Sequence, residues 1–492
     1  MPSPHSMRPP AMPTQPKHTA FIADTWKALF AAALIVAYLL VTASHVGHES
    51  YNLLLLSILP TGMVAIYLLV SRTTDLLAPP FIILGLCILG INIRLYNIVT
   101  DSTHVLEHVL LPGIGIAGLS HGITAITVGV GALLAGYSVT VAPQRLVRWT
   151  SASHTWHPQR LKFLAVPLLL VSAVSVLVYA QQMNLPAQIA AGRISMARRL
   201  VVAGSEYGAA SSYLIWGAKL AEALYYILLA RRYTNESSRG STIFLVTLFL
   251  FSTIVPIVSS QRSAIFNMLL ISLIMRHYLY RPTTGHSLLL LTAAALVSLG
   301  ILTQFRIVSQ TGDSLTSDAS TYTGNIEDTL SKPYFLGVAK TSVIVAAVPD
   351  RIDFLHGRSL TLWLLAPIPR TVWPGKPAVR IGPFVAQTIY GRTNHSGVPP
   401  GFLAELYMNF GYIGLVLGSL LLGLVLRILY QTFVVLSPHT AHGILVHTFL
   451  SLHLTLTLLS SDLTGTISAV ALYLLPILIA LRIIFPRTSP LH

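Results

Sequence analysis

The chain has 492 residues, 53% hydrophobic and only 10% charged, and its apolar residues fall in runs of about 20, the length of one bilayer crossing, which excludes a freely soluble protein. Its single cysteine, Cys87, lies inside such a run and excludes both a disulfide framework and a cysteine-built metal site. The net charge of +15 would suggest nucleic acid in a soluble protein, but here it divides between two membrane faces, and no nucleic-acid partner is expected.

Residues 1–26 are rich in proline and lack the apolar core and cleavage site of a signal peptide, so they read as a disordered cytoplasmic tail. Apolar runs then predict an all-α integral membrane protein of about twelve transmembrane helices. They lie near 27–45, 52–70, 76–96, 120–142, 163–181, 208–230, 241–260, 263–280, 286–305, 406–430, 440–460 and 465–485. Spans one to nine fill 27–305; spans ten to twelve and a short cytoplasmic tail fill 406–492. With both termini cytoplasmic, the connections bearing Arg72, then Arg145, Arg148, Arg160 and Lys162, then Arg231, Arg232 and Arg239, then Arg276 and Arg281, then Arg427, all fall inside. That distribution follows the positive-inside rule.

Three outer stretches depart from it. The connection 182–207 carries Arg193, Arg198 and Arg199, and a tight turn between two spans carries Arg262. The third is the large loop 306–405 between spans nine and ten, which begins at Arg306 and is slightly acidic in its first half. Its second half sets Arg351, Arg358, Arg370, Lys376, Arg380 and Arg392 against Asp353. Two apolar pieces of this loop, 335–349 and 359–369, are too short to span and are expected in the membrane interface or dipping back into it.

The piece APIPRTVWPGKPAVRIGPF (366–384) has five prolines, which forbid a regular helix and stiffen the backbone that presents Arg370, Lys376 and Arg380. Such a segment suits a phosphate at the membrane surface, and equally suits pairing with lipid headgroups. Arg193, Arg198 and Arg199 define no single stripe and fit either an interfacial helix or substrate binding. Arg262 fits either a topology anchor or a substrate contact.

For proton acceptance the candidates are Glu405, with Asn409 one turn on along the same helix face, and behind it His395. Glu405 could instead serve as a charge at a helix N-terminus, and His395 as a solvated loop residue. Gly414 and Gly418 form a GxxxG expected to let another helix approach. Lys219 and Glu222 read as a structural pair in the sixth span. His447 and His453 do not share a helix face, so neither a metal nor another cofactor is expected.

The runs GRSLTLWLLAPIPRTVWPGKP (357–377) and GFLAELYMNFGYIGLVLG (401–418), with SSQRSAIF (259–266) and QFR (304–306), resemble the Wzy-type oligosaccharide repeat-unit polymerases of bacterial surface polysaccharides. The resemblance covers about 250–430. It implies an architecture similar to polyprenyl-dependent (GT-C-like) membrane glycosyltransferases, multi-pass in the bacterial inner membrane with the large loop periplasmic. It further implies transfer of the growing chain from undecaprenyl diphosphate to a new lipid-linked repeat unit, without a metal, beside a chain-length regulator and a flippase. Arg262 and Arg370 match the family's functional outer-loop arginines, and Arg193 matches more weakly. The O-antigen ligase type, using the same donor, is the nearest alternative; a flippase or transporter would need charged residues at mid-depth in the spans.

Overall fold

The computed structural model of the chain describes residues 48–71, 75–100, 114–141, 143–151, 156–182, 207–234, 239–258, 262–286, 336–368, 372–392, 397–437 and 439–485. Among them every regular element is helical. Among the described residues seven helices are long and apolar enough to cross a bilayer, so the chain is a helical membrane protein. These are α1 (Tyr51–Val70), α2 (Pro79–Val99), α3 (Leu119–Ser138), α5 (Pro158–Gln182), α10 (Phe402–Val435), α11 (Ala441–Ser460) and α12 (Leu463–Ile484). Between them stand α4 (Gln144–Ser151), α6 (Tyr207–Thr234), α7 (Arg239–Val258), α8 (Arg262–Leu279) and α9 (Val338–Ala347). Of the twelve spans expected, 27–45 and, beyond His286, 286–305 fall outside the described residues. α6, α7 and α8 lie on three further expected spans, with the apolar stretches Ser241–Ile257 and Ala264–Leu279 inside α7 and α8.

Local chemistry sets the helix ends. Pro79 and Pro80 open α2, where a missing N–H costs nothing. Thr440 caps α11 through the Gly443 amide, and Asp462 caps α12 through that of Gly465. The 34 residues of α10 would extend about 51 Å, well beyond the hydrocarbon thickness. A break at Phe410 and Gly411, where Gly411 has φ +61°, sets its first eight residues apart from the spanning part.

Two cores form. One joins α1, α2, α3 and α9 with both parts of α10. The other joins α5 to α8 with α11 and α12. Of the segment 335–349, expected in the interface or dipping back into it, Val338–Ala347 form α9, whose residues from Val338 to Val345 are all buried within the protein. It lies so close to α3 that a Cβ on Gly122 would stand 2.1 Å from Ser342 Oγ. In the 359–369 piece, described as far as Ile368, Trp363, Leu364 and Pro367 are exposed. Gly414 and Gly418 also depart from expectation, since they face Leu406 and Phe410 of their own broken helix rather than a neighbour.

At the end of the bundle opposite the large loop, Asp75 ties the turn between α1 and α2 to α8 and α10. Its Oδ2 accepts from the Tyr278 and Tyr430 hydroxyls at 2.7 and 2.8 Å, and Oδ1 accepts from the Leu77 amide at 2.9 Å. His277 Nε2 lies 3.2 Å from Oδ1, and its Nδ1 accepts from the Thr283 amide. Burial alone would raise the Asp75 pKa, but these bonds hold it down to about 2.

Candidate active site at the loop end

The turn between α11 and α12 gathers the charges of the loop end. Asp462 is buried, and its Oδ1 accepts from the Gly465 amide at 2.5 Å. Its Oδ2 accepts from Arg380 Nε at 3.1 Å and Nη2 at 2.9 Å, and Nη2 also donates to Ser461 Oγ. The Arg380 side chain is 51% exposed, so one edge of the guanidinium is fixed while the rest faces outward. Gly465 makes room for it: a Cβ there would stand 2.4 Å from Arg380 Nη2.

Glu405 meets the same turn from α10. Its Oε2 accepts from the Leu463 amide at 2.8 Å, adding a second carboxylate to the α12 N-terminus, where the helix dipole favours negative charge. Its Oε1 is sealed beside the Ser359 hydroxyl without a well-formed hydrogen bond. Lys340 enters from α9, fully buried, and donates to the Pro399 carbonyl at 2.8 Å and that of Ser460 at 3.1 Å. Burial lowers its ammonium pKa to about 8, with Asp462 opposing the shift. Gly401, at φ +84°, donates to the Ser461 carbonyl and closes the ring of contacts.

The remaining expected site residues divide. The Asn409 amide is committed: Nδ2 donates to Ser359 Oγ and the Glu405 carbonyl, both at 2.7 Å, and Oδ1 accepts from the Gly357 amide at 2.8 Å. Lys376 is turned inward, its ammonium donating to the Ala366 and Ile368 carbonyls. Arg392 is exposed and lies over the Tyr390 ring. Arg193, Arg198, Arg199, Arg306, Arg370 and His395 lie outside the described residues, and of Arg262 only the backbone, opening α8, is described.

Lys340, Asp462, Ser461 and Ser359 belong to this arrangement and are not among the site residues the sequence suggests. Two signals pointed to them: a lone lysine in the apolar run FLGVAKTSVIVAAVP, and an aspartate directly before the last apolar run, in N-cap position. Chemically, the arrangement offers a positioned cation at the outer edge and a buried carboxylate with one unengaged oxygen beneath it. Among the described residues no group of three or more His, Cys, Asp or Glu side chains is placed to hold a metal. No family model, curated protein or solved structure matches the chain.

Proposed function

We propose that the chain is an inner-membrane glycosyltransferase that joins undecaprenyl-diphosphate-linked oligosaccharide repeat units at the periplasmic face, a repeat-unit polymerase. One observation carries the reading. Asp462 and Leu463, adjacent in one turn, hold Arg380 and Glu405 respectively, so a half-exposed guanidinium and a protonatable carboxylate share one rigid support. A departing lipid diphosphate needs fixed positive charge at the membrane surface, and the attacking hydroxyl needs a proton acceptor. In the transfer, an acceptor oxygen bonds to the anomeric carbon, the bond from that carbon to diphosphate breaks, and the diphosphate leaves with the electron pair. The hydroxyl proton passes to Glu405 Oε1 once the Ser359 segment moves aside. Arg370, Arg262 and Arg193 are proposed to supply further charge around the diphosphate, with His395 the second candidate base and Lys376 bracing the loop. The exposed Trp363, Leu364 and Trp373 support a loop resting on lipid.

The test is surface glycan from a deletion strain carrying plasmid-borne variants. Arg380→Ala and Arg370→Ala at normal protein level should leave lipid capped with single repeat units. Arg370→Lys should fall well short of wild type, because an ammonium cannot meet two phosphate oxygens at once. Wild-type chain lengths from both alanine variants would overturn the assignment. Loss of all attached glycan would indicate a ligase, and units trapped inside would indicate a transporter. The transporter reading has one observation in its favour, the charged pair Lys219 and Glu222 midway along α6.

A further inference from the structure

Three spans have ends at the edge remote from the large loop: α3 stops at Ser138, α5 starts at Pro158 and α12 stops at Ile484. The short helix α4 stands among them. Its Arg145 and Arg148, three residues apart, share one helix face and are exposed. Leu146 and Trp149, also three apart, form a neighbouring stripe about 100° round the helix. They are 37% and 41% exposed.

A line of rings holds α4 to this edge. His442 of α11 donates from Nε2 to the Trp149 carbonyl at 3.2 Å, and its ring centre lies 5.1 Å from that of Trp149 and 6.3 Å from that of Phe485. Phe485 in turn meets Trp156 at 4.8 Å. Arg160, in the first turn of α5, donates to the Ile483 carbonyl at 3.4 Å, which brings a cation to the last turn of α12, where Arg482 already stands.

Positive charge thus gathers without an answering acid. The sequence has no Asp or Glu over 108–205, over 406–461 or after Asp462. Among the described residues the carboxylate at this edge is Asp75, already bonded to Tyr278 and Tyr430, and none of Arg145, Arg148, Lys162 and Arg482 forms an ion pair. Span ends lie at the depth of lipid headgroups, the level where indole rings also settle. A soluble polyanion would answer the cations and leave Leu146 and Trp149 in water, whereas a lipid answers both.

We infer that the corner made by α4, the start of α5 and the end of α12 is a docking surface for anionic phospholipid. The headgroup phosphate meets Arg145, Arg148, Lys162 and Arg482, and the acyl chains cover Leu146 and Trp149. This surface lies at the edge opposite the proposed glycosyl transfer and is independent of it.

Tryptophan quenching tests it on the full chain reconstituted in phosphatidylcholine vesicles. A minor share of the lipid is phosphatidylglycerol brominated on its acyl chains; a parallel sample carries the same share of brominated phosphatidylcholine. The difference between wild type and Trp149→Phe isolates Trp149 among the six tryptophans. Its quenching should show the anionic lipid enriched over the zwitterionic one, most strongly at low salt. Arg145→Gln, Arg148→Gln, Lys162→Gln and Arg482→Gln combined should reduce that enrichment by about fivefold or more, the effect of even one cation at an anionic surface. Arg145→Lys, Arg148→Lys and Arg482→Lys combined should retain it. The salt dependence is read on wild type and needs no variant. Equal quenching by the two lipids, enrichment indifferent to salt, or enrichment kept by the glutamine variant would each overturn the inference. Quenching by neither lipid, with cross-linked dimers through α4, would assign the face to a second copy of the chain and overturn it as well.

Discussion

Gly136 of α3 and Gly423 of α10 lie back to back: a Cβ on Gly136 would stand 2.0 Å from the Leu420 carbonyl oxygen, and one on Gly423 1.9 Å from that of Leu133. Backbone cannot yield as a side chain can. Gly423→Ala is expected to destabilise by about 1–3 kcal/mol, the usual scale of overpacking. Gly418→Ala meets only the end of the Leu406 side chain and should cost less. Thermal unfolding in detergent distinguishes them, and equal shifts would refute the contact.

Arg380 and Asp462 are partners of unequal burial, 51% and 1% exposed. Arg380→Ala leaves the buried Asp462 Oδ2 without its two donors and should cost about 1–3 kcal/mol, while reducing transfer strongly. Asp462→Ala removes the α12 cap as well and should cost about 1–2 kcal/mol in addition to activity. Stability and glycan length measured on the same preparations separate the two, and an active Arg380→Ala protein would remove that residue from the site.

Lys340 gives a pH signature. Its folded pKa, about 8, lies below that of an unfolded lysine, so between these values the unfolded chain binds more protons and stability rises with pH. Wild type should thus gain on Lys340→Met as pH increases from about 8 to about 10, since only wild type carries this titration. Melting temperatures of both proteins across that range provide the measurement, and parallel curves would contradict the burial of a charged ammonium.

Asn409 fastens the 355–359 turn to α10, helped by the Leu355 and His356 amides, which donate to the Met408 and Asn409 carbonyls. Asn409→Ala should cost about 1–3 kcal/mol for the groups left unpaired. Asn409→Asp should cost more, because it loses both donors and brings an uncompensated charge beside Glu405. Protease cleavage within 351–361 should increase in the same order, and a resistant Asn409→Asp protein would argue against the clasp.

The helices were legible because apolar runs bounded by Pro79, Thr440 and Asp462 state both length and ends. The placement of α9 was not, since a short apolar run reads alike whether it meets lipid or protein. Its burial depends on Gly122 lying opposite Ser342, a relationship more than two hundred positions apart in sequence. Lys376 shows the same limit. Its cluster of prolines announces stiffness, but prolines also supply no amide donors, and the carbonyls of Ala366 and Ile368 take the ammonium that the sequence offers to phosphate or to lipid headgroups. Glu405 and Asn409 were rightly placed one turn apart on α10, yet their partners come from the α11–α12 turn and from 357–359.

Asp75 has a mechanical consequence. Bonded to Tyr278 of α8 and Tyr430 of α10, it rivets the α1–α2 hairpin across the seam between the two cores, at the end remote from the large loop. With its pKa at about 2, the rivet keeps its charge at every pH a cell meets. The Lys340–Ser460, Glu405–Leu463 and Arg380–Asp462 bonds join the same elements at the opposite edge, so a doorway for the proposed lipid-borne sugar at the loop end would have to break those bonds while Asp75 holds the other end.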